Sequence, residues 1–189
     1  MKITHVKVYD LEDSVVASGF PMCAEYSESL YKGLQDNPAG LARIARLSDA
    51  KPSHGEDNAL SGILVSFDVT GTVKWWTQFQ RYHFIQIVSS MSTMHRLVSM
   101  LKEDKAQFHP AVDPRIIEIL KDMLKQERPF EELVYSCPMG IELTARVSTN
   151  YLQLKTIYRQ RRFHKLKEWR DFCDFMKRNL PYSFLFAKD

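Results

Sequence analysis

Two stretches decide how this chain is read: FQRYHFIQIVSSMSTMHR at residues 79–96 and TNYLQLKTIYRQRRFHKLKEW at residues 149–169. The first sets Gln, Arg, His, Ser and Thr between apolar residues. Such hydroxyls, amides and guanidinium groups can hold a phosphate, a uracil ring or a flavin. The second opens on Thr149-Asn150, a helix-capping pair, and then becomes basic.

Residues 63–69 upstream read as a strand, with Ile63, Val65, Phe67 and Val69 on one side and Leu64, Ser66 and Asp68 on the other. Residues 2–9 form a second strand. Gly71-Thr72 ends the first, and residues 73–84 read as an aromatic-rich, well-buried helix. Ser92 or Thr93 caps a helix beginning at Met94. Asp113-Pro114 opens another, with Ile116, Ile117, Leu120, Met123 and Leu124 as its buried face. Residues 134–146 are ambiguous, with a bend at Pro138 and Gly140. Thr149 or Asn150 caps a helix towards Arg162. A further helix carries Leu166, Trp169, Phe172, Cys173 and Met176. Pro181 stops it, and residues 182–186 form an apolar tail. Near the start, residues 21–34 read as a helix, residues 37–40 as a turn, residues 41–47 as a short helix and residues 48–58 as a polar loop. Trp75, Trp76 and Trp169 are assigned to the core. Together these elements predict one α+β domain over residues 1–189, a modest sheet under packed helices.

Of the 189 residues, 44% are hydrophobic, enough for a real core. No apolar run approaches a membrane span, and the N-terminus lacks the apolar core of a secretory signal, so the expectation is a cytoplasmic protein. Cys23, Cys137 and Cys173 are too scattered for a metal site or a disulfide framework, and are read as buried or half-buried thiols. A net charge of +3 argues against a nucleic-acid binder overall. The charge is uneven, however. Between residues 155 and 170 lie Lys155, Arg159, Arg161, Arg162, Lys165, Lys167 and Arg170 against Glu168 alone. That run is either a solvated face or a surface turned to an anionic ligand or partner.

Set beside known signatures, the chain resembles the flavin-dependent thymidylate synthases, the ThyX family, whose motif has the form RHRxxSxNExSxRY. In one register Tyr82-His83-Phe84 stand for its Arg-His-Arg, Ser90 for its Glu, Ser92 for its second Ser and His95 for its Tyr. A one-residue shift puts Arg81 on the first Arg and loses the His; both registers stay open. Pro138 precedes Asn150, and Asn150 precedes Arg161, at family-like spacings. Glu168-Trp169 stands near a Gln-Trp pair, and Leu180-Pro181-Tyr182-Ser183-Phe184 resembles the family's tail. The resemblance implies the ThyX-like fold, antiparallel or mixed, and a homotetramer with sites shared between subunits. It implies FAD, a dUMP-like nucleotide, methylenetetrahydrofolate and NADPH, and C5-methylation without a cysteine nucleophile.

By the same resemblance, Arg161 takes the catalytic and nucleotide-contacting role. Arg81, Ser90, Ser92, Thr93 and His95 join it in binding the nucleotide, and Arg96 is added on charge and position alone. His83, Asn150, Tyr151 and Gln153 contact the flavin. The departures are the lost signature arginines, Val134 at another family Arg, and residues 56–62 in place of a flavin-binding segment. Arg81, Arg96 and Arg146 are the available substitutes. Two other readings are a flavin or nucleotide binder with different chemistry and a non-enzymatic basic interaction module.

Overall fold

The alternation over residues 63–69 becomes strand β2, Leu64–Thr72. Ile63, Val65, Phe67 and Val69 are each no more than 1% exposed, whereas Leu64 is 45% exposed. The computed structural model describes residues 1–31, 36–51 and 54–188. Strand β1, Lys2–Tyr9, lies along one edge of β2. Strand β4, Glu142–Asn150, lies along the other in unbroken antiparallel register from Leu64↔Asn150 to Thr72↔Glu142. Strand β3, Gln86–Ser90, closes the order β1-β2-β4-β3, with every pairing antiparallel. The β1 pairing is interrupted between Thr4 and Lys7, where His5 takes a positive φ of 51°.

The helices are α1 (Leu11–Ala17), α2 (Pro38–Leu47), α3 (Val73–Phe79), α4 (Thr93–Lys102), α5 (Pro114–Lys125), α6 (Phe130–Ser136), α7 (Tyr151–Arg161) and α8 (Lys167–Asn179). The apolar face of the sheet packs under α3, α7 and α8, where Trp75 stacks on Phe79 at 4.4 Å between ring centres and lies 5.2 Å from Trp169. The three tryptophans are core, as read from sequence. A second, smaller cluster of Leu97, Leu101, Leu133 and Ile141 joins α4, α5 and α6. The tail after Pro181 folds back, burying Leu185 and Phe186.

Five expectations change. The helix expected over residues 73–84 stops at Phe79, because the chain must turn and pair residues 86–90 with β4. Strand β3 was not legible: Val88, Ser89 and Ser90 are all exposed, so no inward-outward alternation marks it. Strand β4 was masked by its small inward side chains, Ala145, Val147 and Thr149. Residues 20–29 are all exposed, and without a face to bury a helix there has no tertiary support. They form 3-10 turns at Phe20–Met22 and Glu28–Leu30, and residues 32–34 of the expected helix lie outside the described residues. Cys23 is accordingly exposed rather than buried. Finally, α5 buries only Leu120 fully, while Ile116 is 39% exposed, because α5 rests on α4 and α6 and not on the sheet.

Glu168 locks the β2–α3 corner. Its carboxylate accepts the Thr72 backbone N–H at 2.9 Å and the Thr72 hydroxyl at 2.8 Å, both buried. Thr72 in turn caps α3 by accepting the Trp75 N–H at 3.1 Å. Glu168→Ala therefore leaves two buried donors without an acceptor. It is expected to destabilise the fold by about 2–3 kcal/mol in urea unfolding.

Candidate functional site

Strand β4 passes into α7 with no intervening loop, because Asn150 ends one and caps the other. Its side-chain oxygen accepts the Gln153 N–H at 2.8 Å. Gln153 is thereby fixed at the start of α7, and its own side-chain oxygen accepts the Phe84 N–H at 3.1 Å. The Thr149 hydroxyl donates to the Phe84 carbonyl at 2.9 Å. Both backbone groups of Phe84 are thus held, and the turn after α3 is pinned to α7. That turn carries Arg81, Tyr82 and His83 to the wall of an open cleft of about 990 Å³.

The opposite wall is α7 itself, with Leu152, Gln153, Thr156, Arg159, Gln160 and Arg161. The third wall includes Gly55, Asp57 and Asn58. It is tied down by a buried ion pair between Lys155 and Asp57 at 2.5 Å, with Lys155 also donating to the Ala50 carbonyl at 3.1 Å.

Tyr82 sits at the centre of the polar wall. Its hydroxyl accepts the Arg161 Nε–H at 2.7 Å and donates to the Gln160 side-chain oxygen at 3.0 Å. Burial raises the pKa of the Tyr82 phenol, against an opposing effect from Arg161, so it remains a hydrogen-bond donor at neutral pH. The Arg161 guanidinium carbon lies 4.9 Å from the centre of the Trp169 ring and 5.7 Å from that of Tyr82, so it packs against both aromatic rings. Among the described residues no carboxylate forms an ion pair with Arg81, Arg159 or Arg161. Three uncompensated guanidinium groups thus line one cleft. Nearby, the His164 pKa is lowered, first by burial and then by the Arg161 charge.

Of the residues singled out in the sequence, Arg81, His83, Gln153 and Arg161 meet at this cleft. Arg81 and His83 both line it, so each register of the signature puts a matching residue there. Ser90, Ser92 and Thr93 line a different cavity, of about 330 Å³, which shares no residue with the first. His95 and Arg96 are exposed on α4 and line neither cavity. The His95 ring pairs with the Ser92 hydroxyl at 3.1 Å. Asn150 is buried in its capping role. Tyr151 is buried against Phe186, with its hydroxyl donating to the Pro181 carbonyl at 2.5 Å, and it does not reach the cleft.

Of the substitute arginines, Arg81 alone stands in the cleft. Arg146 lies on the sheet, bound to Asp68 at 3.1 Å, to Ser66 at 2.8 Å and to the His5 carbonyl at 3.0 Å. Tyr82 and Gln160 were missed, because their pairing spans the whole second half of the fold. Arg159 and Thr156 could have been found from helical spacing, since they lie three apart on the exposed side of α7. The basic run from residue 155 to 170 is not one face. Lys155 is buried, Lys167 pairs with Asp171 and Arg170 donates to the His164 and Lys165 carbonyls. Among the described residues no cluster of His, Cys, Asp and Glu has the arrangement of a metal site, and no helix is long and apolar enough to cross a membrane.

No protein-family model matches the sequence, and no curated protein matches it either. Solved structures do. The chain superposes on flavin-dependent thymidylate synthase ThyX from Helicobacter pylori, solved with FAD and dUMP, with a TM-score of 0.73 at 18% identity over 98% of both chains. A second Helicobacter pylori ThyX structure with FAD and dUMP gives a TM-score of 0.74 at 18% identity over all of both chains. The UMP/dUMP methylase PolB from Streptomyces cacaoi, bound to 5-Br dUMP, gives 0.64 at 13% identity over 97% of this chain and 93% of that one. The fold is therefore the ThyX fold, an α+β architecture on an antiparallel sheet. The resemblance read from the two opening stretches is borne out at that level.

Two outcomes follow from the cleft walls. Asp57→Asn strands the Lys155 ammonium in a buried site, and is expected to cost about 3–5 kcal/mol in chemical unfolding. No cysteine lines either cavity. Burial pushes the Cys137 thiol up to about 11 and the Cys173 thiol up to about 12, whereas Cys23 is exposed. Titration of the native protein with a disulfide reagent at pH 8 should modify Cys23 quickly and the other two only on unfolding.

Proposed function

We propose that this chain binds a flavin and a uracil nucleotide at the Arg81–Tyr82–Arg161 cleft and catalyses reductive C5-methylation of dUMP or a related pyrimidine nucleotide. Methylenetetrahydrofolate is the one-carbon donor and NADPH the reductant. The observation that carries this reading is the set of three uncompensated guanidinium groups in one cleft, on a fold shared with structures that hold FAD and dUMP.

The donor set suits the proposed ligands. A uracil ring and the pyrimidine edge of a flavin both present carbonyl oxygens and ring nitrogens in one plane. Arg161, packed against Trp169, offers a planar fork of N–H donors to such an edge. The imidazole of His83 and the amide of Gln160 add groups of matching chemistry. A cleft of about 990 Å³ is at the upper end of the range usual for sites that take a cofactor-sized ligand.

A bound flavin would supply the electrons that reduce the transferred carbon to a methyl group. The chain's own residues do the rest. Arg161 orients the ring carbonyls and stabilises negative charge as it develops on the pyrimidine. Tyr82 holds the Arg161 Nε, leaving the outer guanidinium nitrogens to face ligand. Arg81 and Arg159 take the phosphate or pyrophosphate charge. The second cavity, with Ser90, Ser92 and Thr93 at the start of α4, offers hydroxyls and a helix N-terminus suited to phosphate. In a homotetramer this patch from one chain would complete the cleft of another, which reconciles two clusters that do not meet within a single chain.

The test is a visible spectrum of the purified protein before and after FAD addition and gel filtration, followed by dUMP-dependent oxidation of the reduced flavin. A retained flavin band in a tetramer-sized peak and dUMP-dependent oxidation are expected. Arg161→Gln should weaken dUMP binding about 10- to 100-fold, the loss of one charge-assisted contact. Flavin retention without dUMP-dependent oxidation would point to different chemistry on the same fold. A protein that takes up neither FAD nor dUMP would end the proposal.

A further inference from the structure

A cavity of about 240 Å³ adjoins the main cleft and shares Lys155 and Arg159 with it. Leu185 and Phe186, both buried, give it an apolar side. Arg162 lines it, and the Arg162 Nε is buried without a hydrogen-bond partner among the described residues. The Nε is closed off from the cavity, so the groups that Arg162 can turn to an anion are its outer guanidinium nitrogens. The Arg162 guanidinium lies beside two rings, with its carbon 5.5 Å from the Tyr158 centroid and 4.9 Å from that of Phe163.

The charges around the cavity do not cancel. Lys155 is taken by Asp57, and Lys188 pairs with Asp49 and donates to the Ala45 carbonyl at 3.2 Å. Among the described residues no carboxylate forms an ion pair with Arg159 or Arg162. Two guanidinium charges remain, next to a space below the roughly 300–1,000 Å³ usual for a whole small-molecule ligand. That combination suits a compact dianion, and the planar N–H fork of Arg suits tetrahedral oxyanions with two oxygens to offer.

We propose that this cavity is a second oxyanion site, one that takes a phosphate group against Arg162 and Arg159. The site does not rest on the assignment of the main cleft. The phosphate comes either from solution or from the end of a ligand lying in the main cleft, since Arg159 lines both.

The probe is inorganic phosphate, titrated calorimetrically into the Arg81→Gln protein so that binding in the main cleft is weakened. Saturable binding is expected, and it should weaken by about tenfold or more when Arg162→Gln is added. Lys188→Gln, a change near the chain end that leaves the Asp49 carboxylate uncompensated at the cavity, should weaken it in the same direction. A companion titration adds dUMP to phosphate-saturated native protein. Independent binding assigns the site to free phosphate, and competition that Arg162→Gln relieves assigns it to the ligand's own phosphate. If the Arg81→Gln protein binds no phosphate, or if neither Arg162→Gln nor Lys188→Gln changes its binding, the second site does not exist. None of these readouts requires flavin binding or catalysis, so failure here is distinct from failure of the proposed function.

Discussion

Asn150 stands where β4 stops and α7 starts, and the cleft depends on that junction. A strand paired along its whole length with β2 delivers the chain to a fixed point, and the Asn150 cap turns it into a helix at once. Gln153 and Thr149, on either side, then hold both backbone groups of Phe84. The turn after α3 is consequently referenced to the sheet through α7 rather than left as a mobile loop. Polar side chains at this corner do what an apolar residue could not, because each satisfies a backbone group that the start of α7 or the turn after α3 would leave unpaired.

Electrostatics divide the basic run of α7 and its successor by depth. Lys155 is deep enough that it must be matched, and Asp57 matches it; the pair also anchors the third wall of the cleft. Arg161 is held by aromatic faces and by a neutral phenol, which keep its charge uncompensated. Arg81 and Arg159 add like charge across open space. Guanidinium groups gathered without carboxylates repel one another, and an anion relieves that repulsion. The cost is bearable in the free protein only because the cleft is open to water.

The chain keeps the ThyX fold at 18% identity to the Helicobacter pylori structures. A core tolerates extensive exchange as long as residues stay apolar and near the right volume. The aromatic cluster of Trp75, Phe79, Trp169 and Phe172 meets that condition. A ligand site has no such latitude, since each contact depends on one donor at one place. Where one register of the family signature has an arginine, this chain has Tyr82, which binds a second arginine instead of carrying charge itself. Fold and chemistry are therefore separate questions here, and the side chains of the cleft bear on the second.

The sequence by itself determined the elements with a clear local signal: β1 and β2, the helix after Asn150, the helix around Trp169, and the three core tryptophans. Each is written in a local signal, a periodicity, a helix cap or a residue type, which survives without knowledge of partners. It also marked Arg81, His83, Gln153 and Arg161. Tertiary structure alone decided that these four meet, that Ser90, Ser92 and Thr93 belong to another cavity, and that Asn150 and Tyr151 are buried supports. It alone made β3 a strand, since an exposed segment takes that form only through the hydrogen bonds β4 offers it. The Tyr82–Arg161 contact joins residues 79 positions apart. No local pattern encodes such a pair, because it exists only after the sheet has brought α3 and α7 side by side.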